Sequence, residues 1–183
     1  LLENVPLSSG ILIAAAGGRP GVIGTVSYRY AGLELPAPFT TPTPLALHGV
    51  FADMVGAECD TGIMEVSSAA LAMDRLEAVR FQVAAFSNLT QDHLDVHGTM
   101  EAYFEAKARL FAERLALTGA AVALIDDEKG FGKEILRRAP TGARRLRVSI
   151  QASDADVTVV KAESTIAGIR AEIATPRGRI AIA

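Results

Sequence analysis

Between residues 81 and 150, short apolar runs at 81–86, 120–125 and 145–150 alternate with helix-length amphipathic stretches at 99–117 and 128–138. Runs of about six residues are too short for buried helices and suit buried strands. Strands that alternate with helices are joined by crossovers, which favours parallel pairing with helices covering both faces of the sheet. After residue 156 the rhythm changes: 157–161, 166–174 and 179–183 follow one another without helices, as in an antiparallel ribbon. The expected fold is therefore α/β, a three-layer, mostly parallel sheet flanked by helices with an appended antiparallel β ribbon.

The first third of the chain reads less regularly. A helix-like opening is expected to break near Pro6 and Gly10, and 21–30 reads as one strand leading into a Gly/Pro-punctuated loop. A helix is expected from Pro44, with Thr43 as N-cap and Leu45, Val50, Met54 and Val55 on its core face. A strand at 60–66 and a short helix at 67–75 follow.

With 183 residues, half of them hydrophobic, the chain can bury a core and is expected to form one domain. Aspartate and glutamate number 21 against 18 lysines and arginines, which provides no positive field for nucleic acid or an anionic membrane. Arg137, Arg138, Arg144, Arg145 and Arg147 form one local basic cluster, read as a solvated surface. Cys59 is the only cysteine, so no internal disulfide can form, compatible with a reducing cytoplasm. The apolar run 11–16 is too short to span a bilayer, so no membrane insertion is expected. Nothing in the sequence sets an oligomeric state.

One side chain is out of place. Met100, Tyr103, Phe104, Leu110 and Phe111 mark a helical stripe by their spacing, and Lys107 falls inside it. A lysine there either snorkels to water, is held charged by acids, or is desolvated, neutral and open to covalent modification. A lysine that reacts with carbon dioxide becomes a carbamate, whose oxygens can bind magnesium. Ligands of open α/β sheets bind beyond the carboxyl ends of strands, where Glu65 and the segment 88–93 fall. Asp92, His93 and His97 could alternatively serve a metal hydrolase, since histidines four apart can share a helix face.

The segments NLTQDHLDVHGTMEAYFEAKARLF at 88–111, GVIGT at 21–25, TTP at 40–42 and MEVSS at 64–68 resemble the central ATPase domain of the Mur ligases. Within that family they are most similar to members that add the third amino acid to UDP-N-acetylmuramoyl-L-alanyl-D-glutamate in peptidoglycan synthesis. The resemblance covers nearly the whole chain and implies a P-loop NTPase-like central domain over residues 1–183, incomplete at both ends. It implies Glu65 and His93 as magnesium ligands, with Glu65 also facing the nucleotide. Lys107 would be a carbamylated lysine supporting the second ion and the γ-phosphate, so that Lys107 and His93 are catalytic. Thr40, Thr41, Ser67 and Arg75 would contact the UDP-MurNAc-dipeptide. Without the family, those four read as a Pro-containing turn, a helix cap and a surface charge. The family reaction consumes ATP with Mg2+, forms an acyl phosphate and joins an amino acid, meso-diaminopimelate being favoured over L-lysine on family frequency.

The chain departs from the family pattern at several points. No phosphate loop of the GTNGKT type is present, and it is expected just upstream of Leu1. Ala69 stands where the family usually has histidine, Met73 where it often has glutamine, and Leu124 where it usually has asparagine before Asp126 and Asp127. The family's adenine-contact asparagine and C-terminal domain would follow residue 183, so this polypeptide alone is expected to be inactive. The rival readings are a non-catalytic muramoyl-peptide-binding module and the metal hydrolase already described.

Overall fold

The computed structural model describes residues 5–151, 154–165 and 168–182. The chain forms two compact units, residues 1–77 and 78–183, each with its own sheet.

In the first unit, helix α1 (Val5–Ala15) precedes strand β1 (Pro20–Ile23), the hairpin β2 (Ser27–Tyr30) and β3 (Leu33–Pro36), helix α2 (Pro44–Gly56), strand β4 (Thr61–Met64) and helix α3 (Ser68–Ala72). The sheet order is β3-β2-β1-β4, with β1 and β4 parallel and the other pairs antiparallel. The expected break at Gly10 does not occur, since α1 runs unbroken from Val5 to Ala15; the segment before Val5 lies outside the described residues. Pro6 stands in the first described turn of α1. Gly10 faces β1, and a Cβ there would lie 2.7 Å from Val22 Cγ2. The stretch read as a single strand at 21–30 is two strands, because Gly24, Thr25 and Val26 leave the ladder and turn the chain back.

Helix α2 starts at Pro44 as expected, though its Thr43 N-cap makes no side-chain cap bond. Its buried residues are Leu47 and Met54, whereas Leu45 and Val55 point to solvent. The sheet decides this face: Gly21 on β1 lacks the Cβ that would otherwise lie 2.5 Å from Met54 Sδ.

In the second unit, the elements are β5 (Phe81–Phe86), α4 (Leu94–His97), α5 (Met100–Arg109), β6 (Leu115–Leu124), α6 (Phe131–Arg138), β7 (Arg144–Ser149), β8 (Val157–Thr165), β9 (Gly168–Thr175) and β10 (Gly178–Ile182). Strands β5, β6, β7 and β8 pair in parallel, and β8, β9 and β10 form the antiparallel ribbon the sequence leads one to expect. The helix expected over 99–117 ends sooner. After α5 comes a π-helical turn, Leu110–Arg114, and Leu115 already begins β6. Phe104, Phe111, Leu115, Ile135 and Leu136 form the centre of this unit's core.

The arginine cluster is bound internally at most of its positions. Arg137 and Arg138 grip Glu134, Arg138 also reaches Glu105, Arg145 donates to the Leu136 and Ala139 carbonyls, and Arg147 pairs with Asp156. Asp127 caps α6 by accepting from the N–H groups of Phe131 (2.6 Å) and Gly132 (2.9 Å). No described helix is long and apolar enough to cross a membrane.

Candidate functional site

Parallel strands β1 and β4 end side by side at Ile23 and Met64, and the residues that follow them form a polar rim in the first unit. Thr25 donates twice to Glu65 Oε2, from its backbone N–H at 3.1 Å and from its hydroxyl at 2.5 Å. The Thr25 and Thr40 hydroxyls lie 3.2 Å apart. Glu65 Oε1 is buried and has no hydrogen-bond partner among the described residues. A buried carboxylate oxygen without a donor is costly, and a hard divalent cation is the kind of group that would satisfy it. The donor chemistry at Glu65 thus fits magnesium.

Thr41, only 1% exposed, ties the rim together from below: its hydroxyl donates to the Glu65 carbonyl at 3.0 Å and accepts from the Ser67 N–H at 2.9 Å. Ser67 caps α3 by accepting from the Ala70 N–H. Arg75 donates to the Thr41 carbonyl at 3.2 Å, and its guanidinium stands 5.5 Å from the centre of the Phe39 ring. The four residues expected to meet the muramoyl-dipeptide, together with Glu65, are therefore one bonded group. A cavity of about 190 Å³, bordered by Pro6, Leu7, Gly24, Thr25 and Arg29, opens beside it.

In the second unit the candidate residues gather on Tyr103, which α5 buries in the core. Thr99 caps α5 by accepting from the Ala102 N–H, fixing where the helix begins. One turn after Tyr103, the half-buried Lys107 places Nζ 5.1 Å from the centre of the Tyr103 ring. Burial pushes the Lys107 amine below its ordinary pKa, and the negative charge of Asp92 opposes that shift in part. His93 meets the same ring edge-on at 5.7 Å, and His97 stacks on it at 5.2 Å. His93 precedes α4 with φ +55°, a left-handed conformation supported by its N–H bond to Asp92 Oδ1 at 2.7 Å. Among the described residues, no group of three or more His, Cys, Asp or Glu side chains could hold a metal ion. Asp92, His93 and His97 therefore supply no hydrolase centre by themselves.

Residues 10–183 match the Mur ligase middle domain family. The chain belongs to the Mur ligases. A UDP-N-acetylmuramoyl-L-alanyl-D-glutamate–2,6-diaminopimelate ligase of Geobacter metallireducens is 40% identical over 185 residues, covering 98% of this chain and 34% of the relative. The enzyme of the same name from Gloeobacter violaceus is 43% identical over 161 residues, covering 88% and 32%. A solved structure of a UDP-N-acetylmuramoyl-L-alanyl-D-glutamate–2,6-diaminopimelate ligase superposes with a TM-score of 0.86 at 29% identity, over 99% of this chain and 36% of that one. The chain spans about a third of the length of these relatives.

Within this Mur ligase domain, Glu65, Thr40, Thr41, Ser67 and Arg75 belong to the first unit, and His93 and Lys107 to the second. The sequence analysis did not single out Thr25, which the structure bonds to Glu65 and Thr40, although it lies in the GVIGT motif. The available signal was a polar residue beside a glycine just beyond an apolar strand, on the rim where ligands of such sheets bind.

Proposed function

We propose that this domain belongs to an ATP-dependent ligase of peptidoglycan precursor synthesis. The enzyme would add the third amino acid, meso-diaminopimelate in preference to L-lysine, to UDP-MurNAc-L-Ala-D-Glu in the cytoplasm. Glu65 Oε1, buried and without a hydrogen-bond partner among the described residues, is the observation that carries the reading, because it supplies an oxygen suited to Mg2+ on the rim where this fold binds ligands. The named relatives, at 40% and 43% identity, support the reaction class.

In this proposal Glu65 is a magnesium ligand in the first unit, and His93 is a magnesium ligand in the second. Lys107, carbamylated, would help hold a second ion, which would offset the negative charge of the γ-phosphate. Its lowered pKa supports that chemistry, since only the neutral amine attacks carbon dioxide. Bound magnesium would supply a Lewis acid that neutralises the converging phosphate and carboxylate charges. Thr40 and Arg75 orient the dipeptide, while Thr41 and Ser67 hold the backbone that shapes the surface it meets. The acceptor carboxylate takes the γ-phosphoryl group to give an acyl phosphate and ADP, and the incoming amine then displaces phosphate.

The test is product formation by the full-length protein given UDP-MurNAc-L-Ala-D-Glu, ATP, Mg2+ and each candidate amino acid. ADP and UDP-MurNAc-tripeptide appearing together in mass spectra, with the larger yield from meso-diaminopimelate, are expected. Absence of dipeptide-dependent ADP formation would overturn the reading.

A further inference from the structure

We infer that Thr25 is a positioning residue that holds the Glu65 carboxylate in the orientation that binds metal and links it to Thr40. The inference rests on the reading of Glu65 as a metal ligand. A carboxylate oxygen accepts, so the 2.5 Å contact runs from the Thr25 hydroxyl to Glu65 Oε2. The Thr25 N–H donates to the same oxygen at 3.1 Å. Two donors on one oxygen stop the carboxylate from rotating and leave Oε1 as the oxygen available to a cation.

The direction of the next contact follows. A hydroxyl has one proton, and that of Thr25 is committed to Glu65. The 3.2 Å contact between the two threonines therefore runs from the Thr40 hydroxyl to Thr25 Oγ1. Thr40 is left with lone pairs and no proton, so it can only accept from a ligand, and the complementary group is an N–H or O–H donor. The relay Thr40 to Thr25 to Glu65 thus connects the proposed dipeptide contact to the proposed metal ligand through two hydrogen bonds.

Thr25→Val keeps the side-chain shape and the backbone N–H bond while deleting the hydroxyl, and Thr25→Ser returns it. The probe is Mn2+ alone, titrated into the full-length protein and read by electron paramagnetic resonance, with thermal unfolding followed in parallel. Groups that hydrogen-bond a metal-binding side chain change metal affinity by roughly 10–100-fold, so a loss of at least about tenfold is expected for Thr25→Val. Wild-type affinity in Thr25→Ser and an unchanged melting temperature complete the expected result; Thr25→Ala serves as a second hydroxyl deletion. Wild-type affinity in Thr25→Val, or a loss equally large in Thr25→Ser, overturns the inference. Glu65→Gln separates the two readings. If it abolishes Mn2+ binding while Thr25→Val does not, the role of Thr25 falls alone; if it leaves binding intact, the reading of Glu65 falls first.

Discussion

The Lys107 amine lies 5.1 Å from the centre of the Tyr103 ring, one helical turn away, on a face that also carries the buried Tyr103, Phe104 and Phe111. Burial lowers its pKa, so a larger fraction of this amine is neutral at a given pH than of a solvated lysine. Protein equilibrated with carbon-13 bicarbonate should therefore show a lysine carbamate resonance, and Lys107→Arg should abolish it. Persistence of that resonance in the variant would place the modification on another lysine.

Thr41 and Thr40 are neighbours with different work to do. Deleting the Thr41 hydroxyl strands the Glu65 carbonyl and the Ser67 N–H, so Thr41→Val should cost about 2 kcal/mol in denaturant unfolding. Thr41→Ser keeps both bonds and should lose only about 1 kcal/mol for the methyl group. Thr40→Val should leave stability nearly unchanged and raise KM for the dipeptide. Equal destabilisation by both valine variants would contradict this division.

Glu134 ties two arginines of its own helix, and their hydrogen bonds lower its pKa from 4.5 to about 2. A carboxylate with a lowered folded-state pKa stabilises the fold above its unfolded pKa and loses that contribution as pH falls through the folded value. Stability should thus decline from about pH 4.5 toward pH 2 partly through Glu134, and Glu134→Gln should flatten that decline. An unaltered acid-unfolding profile would show that the ion pairs contribute nothing.

Gly132 approaches the end of β6 so closely that a Cβ would lie 1.9 Å from the Leu124 carbonyl oxygen. Backbone cannot yield as a flexible side chain does, so Gly132→Ala should destabilise by at least about 3 kcal/mol. Near-wild-type unfolding of this variant would mean that α6 can shift away from the sheet.

Much of the second unit was legible because its strands are continuous apolar runs; residues 81–86 form β5 as read. The boundary between α5 and β6 was not, since Leu115 and Leu117 continue a helical spacing as well as a strand. The hairpin from β2 to β3 turns on Ala31 and Gly32, both at positive φ, and alanine in the first position hides a turn usually announced by asparagine or aspartate. Lys107 could be singled out because a cation inside an apolar stripe is a local contradiction. The bond from Thr25 to Glu65 spans 40 residues and is fixed by the register of β1 on β4, which no local pattern encodes.

Transfer of oxygen from substrate to phosphate reports directly on carboxylate activation. UDP-MurNAc-L-Ala-D-Glu carrying oxygen-18 in the acceptor carboxylate is incubated with the full-length protein, ATP, Mg2+ and meso-diaminopimelate, and the released inorganic phosphate is analysed by mass spectrometry. An acyl phosphate made and then broken by the amine leaves one labelled oxygen on each phosphate. Tripeptide formed with unlabelled phosphate would contradict the proposed chemistry.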